Sequence, residues 1–163
     1  MGKSIKLIIG LGNPGEQYKN TYHNAGVLFI EYLKNALVAS GQTLVASNAY
    51  MNESGSFVAR ELKKRGLKPE ALLIAHDDSD IELGKFKLSF GRGAAGHKGA
   101  ESVIKVLRTG DFWRLRIGIR PGAGSGKRET KRPKAKEFVL KKITAAHRRI
   151  FRKVFEKIIE TEF

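Results

Sequence analysis

Residues 10–26 read GLGNPGEQYKNTYHNAG, and they join a nearly continuous apolar run at 5–9 to an apolar pattern with helical spacing at 21–39. The apolar run is typical of a parallel strand covered on both faces. The stretch therefore predicts a strand, a glycine-rich turn and a helix capped by Asn20 or Thr21. Open α/β sheets bind ligands where strands end. We expect four side chains to gather at this junction: Asn13, Tyr18, His23 and Asn24.

Strand and helix patterns alternate along the rest of the chain. Glycine and proline end the second helical pattern, and an acidic cluster follows the strand pattern at 72–76. This alternation predicts an α/β three-layer sandwich with a mixed, mostly parallel twisted sheet flanked by helices. The 163 residues suit a single domain, 1–163, with a mobile basic loop at about 121–135. Further strands are predicted at 43–46, 85–90 and 113–119, and further helices at 54–65, 100–108, 136–143 and after Thr144.

The composition points to a polyanionic partner. Lys and Arg number 31 against 16 Asp and Glu, a net charge of +15, and the excess is concentrated in the C-terminal half. Nucleic acid is the simplest partner for such a charge, and a merely solubilising surface is the alternative. The absence of cysteine excludes disulfides and thiolate chemistry and fits a cytoplasmic protein. Apolar runs are too short for a membrane span, and no secretory signal is recognisable.

A dinucleotide-binding turn has to be weighed, because residues 10–15 match the pattern G-x-G-x-x-G after a strand. Pro14 removes a backbone donor that a pyrophosphate would need, and no acidic residue ends a second strand about 20 residues later. Residues 91–96 match the same pattern, which shows how little it specifies. A tight turn that uses the conformational freedom of glycine is the favoured interpretation of both.

His23 is the best candidate for acid–base chemistry among the four histidines. It follows the glycine-rich turn, and a carboxylate from the cluster Asp77, Asp78 and Asp80 could hold its ring in one tautomer. A histidine bonded only to backbone is the competing interpretation. No histidine pair has metal-site spacing, so we predict no metal, and His147 is expected to be a solvated surface residue.

Asparagines and paired cations complete the candidate residues. Asn13 and Asn52 follow strands, and an amide can hold a carbonyl group in one orientation, although each is more often a turn residue. If their strands are neighbours, alternating cations on two strands would form a patch suited to one phosphate group; a solvated sheet face is the alternative. These cations are Lys85, Lys87, Arg114 and Arg116.

Taken together, the motifs resemble those of bacterial-type peptidyl-tRNA hydrolase. The matching series extends in order from Leu7 to about Leu140, and its specificity as a series is high. It consists of GLGNPG at 10–15, Tyr18, HNAG at 23–26, YMNESG at 50–55, AHDDSD at 75–80, GKFK at 84–87, GHKG at 96–99 and RLRIGI at 114–119.

The resemblance implies hydrolysis of the ester that joins a peptide to the 3′-terminal ribose of tRNA, without metal or cofactor. It implies that His23 is the general base, that Asp77 orients it, and that Asn13 and Asn52 position peptide and water, with Met51 beside them. It further implies a cytoplasmic, monomeric protein that binds peptidyl-tRNA, with no membrane association. Tyr18 would lie near the tRNA end, and Lys87 and Arg116 would hold the tRNA 5′-phosphate.

Three departures from the family pattern accompany the resemblance. Lys98 stands where the family has a substrate-contacting asparagine, an additional strand pair before Thr43 is missing, and the C-terminus is short. The second departure implies a sheet trimmed at one edge. A catalytically weak or inactive RNA-binding relative is the main alternative, and a nucleotide-dependent enzyme is a third hypothesis.

Overall fold

The computed structural model describes residues 4–36, 41–122 and 134–163, and within them the centre of the fold is one five-stranded sheet. The strands are β1 at Leu7–Gly10, β2 at Thr43–Ala46, β3 at Leu72–Glu82, β4 at Phe86–Phe90 and β5 at Trp113–Arg120. The strand order is β2-β1-β3-β5-β4, and β4 alone is antiparallel to its neighbour. The short β2 forms one edge, the edge at which the resemblance predicts a trimmed sheet.

Helices cover both faces of this sheet. The helices are α1 at Ala25–Asn35, α2 at Ser54–Arg65, α3 at Lys98–Leu107, α4 at Ala135–Phe138 and α5 at Ala145–Glu162. One face packs against α1 and α5, where Phe29 and Phe155 meet Leu73 and Leu115 in one hydrophobic cluster. The other face packs against α2 and α3 in a second cluster. This arrangement confirms the predicted three-layer α/β sandwich with a mixed, mostly parallel sheet.

Two glycines bring α1 directly onto the backbone of the sheet. A Cβ atom on Gly10 would lie 2.2 Å from the carbonyl oxygen of Gly26, and one on Gly26 would lie 2.1 Å from that of Ala75. Both distances are shorter than real Cβ contacts, so only glycine fits at either position. The start of α1 is therefore fixed against the carboxyl end of β1 and against Ala75 within β3. The carboxyl ends of strands are where open α/β sheets bind ligands.

The acidic cluster is inside β3 and not after it, which corrects the prediction. The strand continues through Asp77 and Asp78, and both residues are buried, at 2% and 6% exposure. A buried carboxylate requires partners, and these come from segments distant in sequence. The apolar run alone therefore could not show that the strand continues.

The first helix begins later than predicted, and its start does not use the predicted caps. Tyr22–Asn24 forms a 3-10 turn, and the hydroxyl of Thr21 donates to the carbonyl of Tyr18 at 2.7 Å instead of accepting at a helix start. Asn20 adopts a left-handed conformation with φ of 60°. His23 thus lies on a tight turn in front of α1.

Other predicted elements agree more closely with the structure. The strand at 43–46 and the helix at 54–65 are confirmed with the same bounds, and Thr144 caps α5 by accepting from the backbone N–H of His147 at 3.2 Å. The helical piece predicted at 136–143 is only the short α4. Most of the predicted mobile loop, 123–133, lies outside the described residues. None of the helices in the described ranges is both long and apolar enough to cross a membrane.

Candidate active site

His23 is held at the end of the sheet by the segment that leads into α5. Its backbone N–H donates to the carbonyl of Val139 at 2.7 Å, and the N–H of Tyr22 donates to that of Lys141 at 3.3 Å. These bonds use the donors of the 3-10 turn that precedes α1. The side chain of His23 is consequently directed by a rigid turn and is 14% exposed.

Asp77 accepts hydrogen bonds from two histidines, one from each helical layer. Nδ1 of His23 lies 3.0 and 2.9 Å from its two carboxylate oxygens, and Nε2 of His97 lies 2.9 Å from Oδ1. Nδ1 of His97 accepts from the backbone N–H of Ala100 at 3.1 Å, so the proton of the neutral ring is on Nε2. Nδ1 of His23 donates a hydrogen bond to the carboxylate of Asp77. The neutral His23 ring therefore keeps a lone pair on Nε2.

These contacts set the charge states of the cluster. Burial opposes ionisation of Asp77, but the charges of His97 and His23 and the hydrogen bonds from both outweigh it and lower the pKa of the carboxyl well below its usual range. Burial likewise opposes protonation of His23, yet the charge and hydrogen bond of Asp77 raise its pKa above the ordinary value. Asp77 is therefore a carboxylate, and His23 is a base strengthened by it.

Asn13 is oriented by two neighbours. The amide of Asn24 pairs with its backbone in both directions, donating to the carbonyl and accepting from the N–H, each at 2.9 Å. The side-chain oxygen of Asn13 accepts from the backbone N–H of Met51 at 2.8 Å. That bond assigns the amide orientation and leaves the Nδ2 donors of Asn13 available.

These groups open into a cavity of about 510 Å³. Asn13, His23 and Asp77 line it together with His97 and Lys98. A volume of this size holds a small-molecule moiety such as the end of a larger substrate. The segment around α4 also lines the cavity, through Lys134, Lys136, Val139 and Leu140.

Comparisons with known proteins show the family to which this chain belongs. The family model described as peptidyl-tRNA hydrolase matches residues 7–161. The chain belongs to the peptidyl-tRNA hydrolase family. The resemblance seen in the sequence is thereby confirmed.

Individual members of the peptidyl-tRNA hydrolase family match most of the chain. Peptidyl-tRNA hydrolase of Aquifex aeolicus (strain VF5) is 36% identical over 174 aligned positions, covering 96% of this chain and 85% of the relative. That of Coxiella burnetii (strain CbuG_Q212) is 41% identical over 134 positions, covering 73% and 72%. The crystal structure of peptidyl-tRNA hydrolase from Acinetobacter baumannii superposes with a TM-score of 0.80 at 31% identity, covering 98% of this chain and 87% of that one.

The predicted cationic patch is only partly present in this member of the peptidyl-tRNA hydrolase family. Lys87 and Arg116 are direct cross-strand partners, as expected for neighbouring strands. Arg114 is only 1% exposed and donates to the carbonyl of Gly93, so it belongs to the interior. Lys85 is exposed and pairs with Glu82 at 3.1 Å. Alternate residues of a strand project from the same face of the sheet, as the prediction assumed. Loop 91–97, however, covers one end of that face.

Arg116 is itself engaged, because its Nε donates to Asp78 at 2.7 Å and its side chain is 17% exposed. Neither Lys87 nor Arg116 lines the cavity, so any phosphate that they bind would lie outside it. Lys87 is exposed. An exposed cation therefore lies beside a cation that Asp78 neutralises.

The other predicted site residues have different surroundings. Met51 is 6% exposed in the core, and it is its backbone N–H that reaches Asn13. Tyr18 packs edge-on against Tyr50, with ring centroids 6.3 Å apart, and Asn52 is exposed and accepts from Ser102 through its backbone carbonyl. Neither Tyr18 nor Asn52 lines the cavity.

The structure adds two histidines, His97 and His76, to the surroundings of His23. His97, the residue that caps α3, lies with its ring centroid 5.3 Å from that of His23 and 4.2 Å from that of His76. His76 is fully buried, and burial together with the nearby His97 lowers its pKa well below the ordinary value. The motif GHKG could have indicated His97, whereas nothing in the sequence indicates a role for His76. His147, predicted to be solvated, lies 2.6 Å from the hydroxyl of Tyr22.

The cluster also has the composition of a metal site. The nearest ligand atoms of His23, Asp77 and His97 all lie within 4.8 Å of one another. Two imidazoles and a carboxylate suit zinc and similar ions. In this arrangement, however, the same atoms satisfy one another by hydrogen bonds, which accounts for their proximity.

Proposed function

We propose that this protein hydrolyses the ester between a peptide and the 3′-terminal ribose of tRNA, with His23 as general base. Membership of the peptidyl-tRNA hydrolase family supports the reaction. The contact between Nδ1 of His23 and Asp77 supports the role of the base, because it leaves the lone pair of Nε2 for a water molecule. The carboxylate stabilises the imidazolium ion that forms when Nε2 takes the proton.

Asn13 would stabilise the attacked carbonyl group. With its oxygen held by Met51, only its Nδ2 donors are available to the cavity, and a donor is what a developing oxyanion requires. A ribose ester has a good leaving group, so a base and one or more oriented donors suffice. The proposal therefore includes no metal and no cofactor. Asn52 would act at the rim, beside the Met51 turn.

The tRNA would be bound by one cation in the cavity and by two cations outside it. Lys98 lies at the first position of α3 and lines the cavity, where it can contact the acceptor end. Lys87 and Arg116, as cross-strand partners, would hold the 5′-phosphate, with Tyr18 near the 3′ end. Removing either cation should weaken tRNA binding and lower its salt dependence by about one phosphate contact.

We further infer that the protein acts as a monomer in the cytoplasm. Its substrate arises during translation, and the lack of cysteine fits a reducing compartment. Analytical ultracentrifugation with and without tRNA would test the monomeric state. A stable dimer at working concentration would contradict it.

The decisive experiment compares wild-type protein with His23→Ala on an N-blocked aminoacyl-tRNA. We expect release of the blocked amino acid by the wild type and a loss of about 10²- to 10⁴-fold in the variant, with tRNA affinity retained. Release unchanged by His23→Ala would refute the proposed base. Wild-type protein that binds tRNA but releases nothing would favour the RNA-binding alternative.

A further inference from the structure

Three cations form a continuous stripe along α5. Arg149, Lys153 and Lys157 are spaced by four residues, and all three are exposed. They therefore share one side of the helix over about 12 Å of its axis. We refer to these three residues as the α5 stripe. Like charges four residues apart destabilise a helix, so the stripe opposes the stability of the element that carries it.

The stripe lacks the compensation found nearby. Among the residues that the structure describes, no carboxylate forms an ion pair with any of its three members, whereas the adjacent Arg152 pairs with Glu156 at 3.4 Å. The first turn of α5 has no acidic residue and its last turn no basic one, so neither end carries the charge that the helix dipole favours. Helix α2 shows the favourable order, with Lys63 and Lys64 in its last turn.

A hydrogen bond holds the beginning of α5 close to His23, the candidate base. Nδ1 of His147 lies 2.6 Å from the hydroxyl of Tyr22, the residue before His23, and the α5 stripe begins two residues after His147. Further cations, Lys134 and Lys136, line the cavity from the segment that precedes α5. Positive charge therefore extends from the cavity onto the helix.

The side of α5 opposite the stripe indicates which kind of polyanion the stripe can bind. Phe151, Val154, Phe155 and Ile158 are buried in the core against α1 and the sheet. A helix that binds a membrane surface needs an exposed apolar face to insert between lipids, and the core already occupies this one. What remains is a surface of charge alone, which matches a phosphodiester backbone.

We propose that the α5 stripe binds the phosphate backbone of the tRNA body while the acceptor end occupies the cavity. The proposal rests on the proposed function, since it takes peptidyl-tRNA as the substrate. Binding by the stripe would offset the stability that its like charges cost. It would contribute to affinity for whole tRNA and leave the hydrolytic step unchanged.

The test compares two triple variants of the full chain that lose the same charge. Arg149→Gln/Lys153→Gln/Lys157→Gln removes the stripe, and Lys63→Gln/Lys64→Gln/Lys68→Gln removes three exposed cations around the end of α2. Binding of unacylated tRNA is measured against salt concentration, beside a short single-stranded RNA with the sequence of the tRNA 3′ end and vesicles containing anionic lipid. Thermal unfolding reports whether each variant is folded.

For the stripe variant we expect a tRNA slope of log K against log salt that is smaller by about two to three. Its binding of the short RNA should be unchanged, KM for peptidyl-tRNA should rise at unchanged kcat, and thermal stability should equal or exceed that of the wild type. The α2 variant should keep the wild-type slope. Equal slope losses in both variants, an unchanged slope, or no tRNA binding by wild type would overturn the proposal.

Two further outcomes distinguish this proposal from a membrane-binding role and from the proposed hydrolytic function. Vesicle binding that the stripe variant loses, with the tRNA slope intact, would overturn it in favour of a membrane surface. Wild-type protein that fails to hydrolyse peptidyl-tRNA would refute the proposed function. The slope measured with unacylated tRNA would still test the stripe.

Discussion

Nδ1 of His23 lies 2.9 Å from Oδ2 of Asp77, and this one contact sets both the tautomer and the basicity of the histidine. The carboxylate raises the pKa of His23 above the ordinary value, while the charge of Lys98 lowers it. The two charges therefore shift the same titration in opposite directions. Because a base must be unprotonated, kcat/KM is expected to rise with pH through this pKa.

Asp77→Asn should move the acidic limb of the pH profile to lower pH, since burial then acts on His23 without a compensating charge. The plateau should fall by about 10²- to 10⁴-fold, because the correct tautomer is no longer enforced. Lys98→Gln should move the limb to higher pH. The pH dependence of kcat/KM measures both, and shifts in the same direction would contradict the assignment of the limb to His23.

Asn13→Asp tests the role of the Nδ2 donors. An aspartate can still accept from the backbone N–H of Met51, so the fold should be retained, but its second oxygen cannot donate to an oxyanion. We expect kcat to fall by about 10²- to 10³-fold with a smaller change in KM. Single-turnover hydrolysis would measure this, with Asn35→Asp as the comparison at an exposed position that does not line the cavity. Wild-type kcat in Asn13→Asp would contradict the role.

His76→Gln should alter how stability depends on pH. The folded pKa of His76 is lowered, so only the unfolded chain binds its proton as pH falls below the ordinary value of 6.5, and the wild type loses stability there. The variant lacks this loss, which amounts to at most about 1.4 kcal/mol per pH unit. Urea unfolding of both proteins between pH 5 and pH 7.5, in steps of about half a pH unit, gives the difference in their free energies of unfolding. A constant difference would show that His76 titrates equally in both states.

Arg114 and Arg116 should respond differently to the same substitution. Arg114→Gln removes a buried charged donor from the carbonyl of Gly93 and should cost about 1.5 to 3 kcal/mol of unfolding free energy. Arg116→Gln removes the cation that pairs with the buried carboxylate of Asp78, so it should also cost stability, and it alone should lower the salt dependence of tRNA binding. Chemical denaturation and tRNA titrations of both variants would distinguish them. A lower salt dependence in Arg114→Gln, or an unchanged one in Arg116→Gln, would contradict the difference in burial.

Gly26→Ala should destabilise the protein by about 1 to 3 kcal/mol, because the new Cβ meets the backbone of Ala75 and cannot be accommodated by a side-chain movement. Gly93→Ala is the matched control, since a Cβ there meets nothing within 4 Å. Unfolding in denaturant compares the two. If Gly26→Ala were as stable as the control, the close contact would be wrong.

The sequence predicted the layers and most elements because apolar periodicity depends on which face is buried. It could not place Asp77 within β3, since a carboxylate in a strand is stable only with partners such as His23 and His97, which lie 54 and 20 residues away. It also grouped Arg114 with exposed cations, because alternation indicates a shared face and not what covers that face. The cluster was predictable only as a motif series, and its geometry required the fold.

The contact of Gly10 with Gly26, and of Gly26 with Ala75, determines how the geometry of the candidate site tolerates substitutions elsewhere. Where backbone meets backbone, the distance between the turn and the strand does not depend on the size of any side chain. Repacking of the surrounding apolar residues can then alter the stability of the molecule without altering the separation of His23 and Asp77. Substitutions in the core can therefore accumulate without moving His23 relative to Asp77. Only three small residues, Gly10, Gly26 and Ala75, have to be kept for this.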